Sequence, residues 1–137
     1  MEILIQLYNF FGVPLGIFLG FFIQHHLSSK QKINEQSRER QLIAYLDYIR
    51  ALSDSAFCKT NNDKVEIQKR AADAKTRIII YGDDSVLKCL HEFDLSGSTA
   101  FTDEGRSKLA NLIISMRGKD TLISKEEIIR TMFGANG

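Results

Sequence analysis

The chain has 137 residues, with 18 Lys and Arg against 17 Asp and Glu for a formal net charge of +1. It therefore lacks the global basic field of a nonspecific nucleic-acid binder, and no direct DNA binding is expected. The length allows one small domain with a core and excludes two.

Residues 3–23 carry no charged side chain, and an apolar helix of about that length crosses the roughly 30 Å of a bilayer's hydrocarbon. At about 100° per residue, Gln6, Asn9, Gly12, Gly16 and Gly20 fall within an arc of about 120°, with Phe10, Phe11, Phe18, Phe21 and Phe22 on the other side. Lipid solvates Phe but offers an amide no hydrogen-bond partner, so the Gln6 and Asn9 face turns toward protein or water. Small residues at every fourth position let two helix backbones approach closely. The segment reads as a self-associating single-pass anchor over residues 1–27; the alternative is a simple tether in which glycine is merely common. Pro14 removes one internal hydrogen bond and predicts a bend near Phe10. A signal peptide fits poorly, because Met1 and Glu2 supply no basic side chain and the run exceeds the usual 7 to 15 or so residues. Lys30, Lys32, Arg38 and Arg40 follow the run, which puts residues 28–137 in the cytoplasm. His25 and His26 fall at the membrane boundary, in headgroup contact or, alternatively, as pH sensors.

No Pro or Gly interrupts the chain after residue 23 before a helical stripe of Leu42, Tyr45, Leu46, Ile49, Leu52 and Ala56, so one helix is expected to continue from the anchor. Thr60, Asn61, Asn62 and Asp63 form a turn and cap a second helix over residues 64–81, which Gly82 closes in a left-handed conformation. Asp83, Asp84 and Ser85 cap a short third helix with Val86, Leu87, Leu90 and Phe93 on one face. Residues 94–101 form a loop. A fourth helix starts at Thr102, places Asp103 and Glu104 in its positive first turn, and buries Leu109, Leu112, Ile113 and Met116 before Gly118. Ser124 and Glu127 spell a capping box for a last helix whose Ile128, Ile129, Met132 and Phe133 complete the core before Gly134. Residues 77–81 resemble a strand, but no second strand-like run is present to pair with them. The expected fold is all-α, an N-terminal transmembrane helix followed by a small cytoplasmic helical domain.

Catalysis needs convergent groups, and few are present. His91 is the only histidine beyond the boundary pair. It stands two residues from Cys89, so on a helix the two point apart and do not form a base and thiol. Cys58 and Cys89 lack zinc or redox spacing and read as reduced, partly buried thiols. Asp83 and Asp84 read as caps rather than metal ligands, and no phosphate-binding glycine loop occurs. The chain reads as a non-enzyme with no cofactor and no metal site. What remains is an anion site. Lys69, Arg70, Lys75 and Arg77 lie on the second helix, and Arg106, Lys108, Arg117 and Lys119 on or just after the fourth; packed together, these helices would present guanidinium and ammonium donors to phosphates. Tyr81 and Phe101 are candidates to stack on a base beside them. Lys75, Arg77, Tyr81, Arg106, Arg117 and Lys119 form the candidate ligand set; the alternative is a solvated face of mixed charge.

Ile80-Tyr81-Gly82-Asp83-Asp84-Ser85-Val86 and Ser115-Met116-Arg117-Gly118-Lys119-Asp120 resemble a pattern in uncharacterised bacterial membrane-anchored proteins, which show Tyr-Gly-Ser at the first site and Met-Arg-Lys-Asp at the second. Here Asp83 replaces the serine and Gly118 separates Arg117 from Lys119. In layout the chain also resembles the small membrane-anchored accessory effectors of type III CRISPR defence. That resemblance implies a bacterial inner-membrane homo-oligomer whose cytoplasmic domain binds a cyclic oligoadenylate, shifts its packing and perturbs the membrane through its anchors. The rival expectation is a scaffold or small subunit that holds a partner protein at the membrane.

Overall fold

The structure, a computed structural model, describes residues 2–134. Side chains are described from residue 31 onward and at positions 21, 23, 24, 25 and 28. Five helices account for the ordered elements: α1 (Glu2–Phe57), α2 (Asn61–Tyr81), α3 (Asp84–Leu95), α4 (Asp103–Arg117) and α5 (Lys125–Phe133). Among the described residues there is no strand, so the fold is all-α, and the apolar run before Gly82 is helical as expected.

The chain divides into two compact units, Met1–Glu39 and Arg40–Gly137. In the first, the backbone belongs to α1, and the side chains of residues 31–39 are all exposed. The proposed anchor face of Gln6, Asn9, Gly12, Gly16 and Gly20 lies outside the described side chains. Among the described residues no helix is long and apolar enough to cross a membrane.

The second unit contains the core. Ala44, Tyr45 and Tyr48 of α1 pack with Ala74 and Ile78 of α2, Val86, Leu90 and Phe93 of α3, and Leu109 and Leu112 of α4. Tyr48, Phe93, Ile78, Leu112 and Val86 are the largest side chains removed from solvent; each such aliphatic or aromatic burial contributes about 1.5–3 kcal/mol. Ile113, Met116 and Phe133 pack partly against this cluster, and Ile128 of α5 is buried. The most extensive backbone contacts are between α3 and α4, then between α4 and α5.

The helix starts follow local chemistry. Thr60 Oγ1 accepts from the Asp63 N–H at 3.1 Å and starts α2 at residue 61, three positions before the sequence expectation. Thr102 Oγ1 accepts from the Gly105 N–H at 3.0 Å. Ser124 and Glu127 form the capping box, each side chain bonding the other's backbone N–H, which satisfies two of the donors orphaned at a helix start. Asp83 occupies the N-cap of α3, but its side chain makes no cap hydrogen bond.

Three expectations require correction. First, the expected face of α1 is buried only in part: Tyr45 is inside and Ile49 and Leu52 pack against the core, but Ala44, Tyr48 and Ala51 are also inside, while Leu42 and Leu46 are 48% and 55% exposed and Ala56 faces solvent. Two polar tips fix this orientation of α1. Gln41 Nε2 donates to the Tyr81 carbonyl at 3.0 Å, and the Tyr45 hydroxyl accepts from the Asp83 N–H at 3.4 Å, so both serve the backbone of the α2–α3 corner. Second, Gly82 is extended at φ −75° and ψ 156°, closing α2 by an N–H bond to the Ile78 carbonyl rather than in a left-handed conformation. Third, Met132 is exposed, because α5 buries only the Ile128 side of its short surface.

Candidate anion-binding site

The basic side chains expected to form one surface have separate partners. Lys75 Nζ contacts Asp94 Oδ1 at 2.7 Å and lies 5.7 Å from the centroid of the Tyr48 ring. Arg77 Nη2 reaches Asp47 Oδ2 at 2.9 Å and Asp73 Oδ2 at 2.8 Å. Those two carboxylates hold the Arg77 guanidinium in its charged form, the hydrogen bond to Asp47 being the larger cause. Tyr81 is half-buried with the Arg40 guanidinium 5.9 Å above its ring. Arg106 Nε donates to the Ala100 carbonyl at 3.0 Å, and its guanidinium lies 5.1 Å from the Phe133 ring centroid. Arg117 and Lys119 are exposed at and just beyond the end of α4, where positive charge complements the helix dipole.

Where these side chains have partners, the partners differ. Helix α3 supplies a carboxylate to each set of cations: Asp94 to Lys75 on α2, and Glu92 to Lys108 on α4 at 3.2 Å. Phe101 is exposed in the α3–α4 connection, and Tyr81, at the end of α2, lies beneath the Arg40 guanidinium rather than beside a cation of the expected set.

A different concentration of charge lies between α1 and α2. The two helices run antiparallel in a register set by Gln41 with Tyr81, Asp47 with Arg77 and Asp54 with Arg70. Along this edge a recess of about 470 Å³ is lined by Asp47, Arg50, Lys69, Arg70, Asp73 and Arg77, four cations against two carboxylates. Asp47 sits between two of the cations, with Arg50 Nη1 at 3.8 Å on the side away from Arg77. Arg70 Nη1 pairs with Asp54 Oδ2 at 3.0 Å, and Lys69 is exposed and makes no ion pair among the described residues. Half-exposed pairs of this kind are each worth about 0–1 kcal/mol, so an incoming anion displaces them at little cost.

Of the expected ligand set only Arg77 lines the recess; Lys69 and Arg70 join it from the wider list of α2 cations, while Asp47, Arg50 and Asp73 were not expected. The signal was nevertheless written in the chain. Asp47, Arg50 and Asp54 on α1 repeat the three-then-four spacing of Arg70, Asp73 and Arg77 on α2, which makes two charged helix edges of complementary order.

Elsewhere Cys58 and Cys89 are free, half-buried thiols and His91 is exposed. Among the described residues no three His, Cys, Asp or Glu side chains group to hold a metal ion. No family model, curated protein or solved structure matches the chain.

Proposed function

We propose that this protein is a non-enzymatic, membrane-anchored effector whose cytoplasmic helical domain responds to a phosphate-bearing anion. The observation that carries the reading is the cation excess in the α1–α2 recess, held by weak pairs that a more strongly charged ligand outcompetes. The charge-free run of residues 3–23 supplies the inner-membrane anchor, the glycine face supplies the homo-oligomer, and helix α1 (Glu2–Phe57) belongs to both parts of the chain. The layout resembles the accessory effectors of type III CRISPR defence, so the anion implied is a cyclic oligoadenylate. Binding drives a response only if the ligand prefers one packing of the domains over another.

The test is titration of the full-length protein in detergent with a panel of nucleotides that includes cyclic tetra-adenylate. Binding is expected to weaken at least tenfold in Arg77→Ala, and absence of binding to every member would remove the reading. A second reading, an adaptor that holds a partner protein at the membrane, is favoured by one feature: Leu42, Leu46, Ile79 and Ile80 are large aliphatic side chains left exposed on α1 and α2. A stoichiometric partner on pull-down, together with no membrane damage on overexpression, would select it.

A further inference from the structure

The recess is lined by charge alone. None of its six side chains is aromatic, so it offers no face on which a base would stack. Its cations are spread along the helices: Lys69 to Arg77 covers eight residues of α2, about 12 Å of rise, and Arg50 faces them from α1. A single phosphate does not reach both ends of such a strip. Two carboxylates occupy it, Asp73 held by Arg77 Nε at 3.1 Å and Asp47 bridging Arg77 and Arg50 at 2.9 and 3.8 Å. The longer contact, to an Arg50 side chain that is 74% exposed, is the one an incoming oxyanion replaces first.

We infer that the α1–α2 recess binds a chain of linked phosphates by its phosphates alone, and that Asp47 and Asp73 are internal competitors which occupy the cations until the ligand arrives. The inference rests on the anion-responsive reading above and narrows its ligand to the polyphosphate class. Arg50 and Lys69, which have the loosest internal pairing, take the phosphates first; Arg77 then exchanges its contact with Asp47 for a phosphate oxygen. That exchange replaces the direct Asp47–Arg77 tie between α1 and α2 with a phosphate bridge from Arg50 to Arg77, so occupancy changes how the two helices are held together.

The experiment is calorimetric titration of the full-length protein in detergent with inorganic tripolyphosphate, and separately with cyclic tetra-adenylate in the presence and absence of tripolyphosphate. Tripolyphosphate is expected to bind and to displace the nucleotide. The double variant Arg50→Ala/Lys69→Ala is expected to weaken it at least tenfold. Asp47→Asn is expected to tighten it several-fold, because a competitor has been neutralised; Asp73→Asn gives the same reading if the first variant melts early. Unchanged or weaker binding in a folded Asp→Asn variant overturns the inference. So does nucleotide binding that tripolyphosphate leaves untouched, which would spare the broader reading, whereas no binding of either probe removes both.

Discussion

Tyr48 shows how a residue can be central to a core and still carry a flaw. Its ring is fully buried, but its hydroxyl has no hydrogen-bond partner among the described protein groups. Burial raises its phenol above the ordinary 10.0, and the nearby Asp94 carboxylate raises it further. A raised value means that the fold accepts only the protonated form, so the contribution is complete below pH 10 and declines as pH climbs beyond it. Tyr45 adds to the same trend: its own burial raises it, partly offset by the hydrogen bond from the Asp83 N–H. Denaturant midpoints measured across alkaline pH are therefore expected to fall above about pH 10. Tyr48→Phe keeps the ring and removes the orphan hydroxyl. It is expected to hold stability or raise it by about 1 kcal/mol at neutral pH, and to weaken the alkaline decline. A loss of more than about 2 kcal/mol in urea titration would mean that the hydroxyl is bonded after all.

At the scale of helices, what was legible in the chain was what is decided within four residues. Thr60, Thr102 and the Ser124–Glu127 pair mark their helix starts because a cap needs only the next turn. The rotation of α1 was not fully legible, since Leu42 and Leu46 fit a buried stripe as well as Ala44 and Tyr48 do, and leucine is the more apolar choice. The α2–α3 corner decides, through Gln41 and Tyr45, about 40 residues away in sequence but adjacent in space. The recess was legible only in part: the charged edge of each helix and the Arg50–Asp47 and Arg77–Asp73 pairs lie within one helix, but the Arg77–Asp47 and Arg70–Asp54 pairs depend on the register of α1 against α2. Gly105 makes the tertiary contribution measurable. It lies in the first turn of α4 and is buried, and an added Cβ would overlap the carbonyl oxygen of Thr99. Gly→Ala within a helix ordinarily gains up to about 1 kcal/mol; here backbone must move, and overpacking of this kind costs about 1–3 kcal/mol. Gly105→Ala is expected to lower the thermal midpoint of helical circular dichroism, and a rise would show that the α3–α4 connection yields freely.

For the molecule as a whole, charge and apolarity are unevenly distributed in a way that the net charge of +1 conceals. Residues 3–23 have no ionised side chain, whereas residues 40–137 carry charges of both signs in near balance, some of them in ion pairs such as Arg70–Asp54, Lys75–Asp94, Arg77–Asp47 and Lys108–Glu92. A near balance of the two signs leaves little net field to hold the protein on an anionic surface, so the attachment expected here is that of the proposed anchor. Two amides, Gln6 and Asn9, make that anchor costly as a lone helix. In hydrocarbon an unpartnered amide loses hydrogen bonds, and interhelical contacts recover only about 0.6 kcal/mol on average. In the proposed anchor the glycines would contribute through close backbone packing. The full-length protein is accordingly expected to remain in the membrane pellet after carbonate extraction, and its detergent-solubilised particle to exceed one chain in mass by light scattering. Gly16→Leu places a bulky side chain between the backbones and is expected to shift that mass toward a single chain while leaving the pellet fraction unchanged. Release by carbonate would remove the anchor. A retained pellet with an unaltered mass in Gly16→Leu would leave a tether without self-association, and anion binding by the α1–α2 recess would then have to act within one chain.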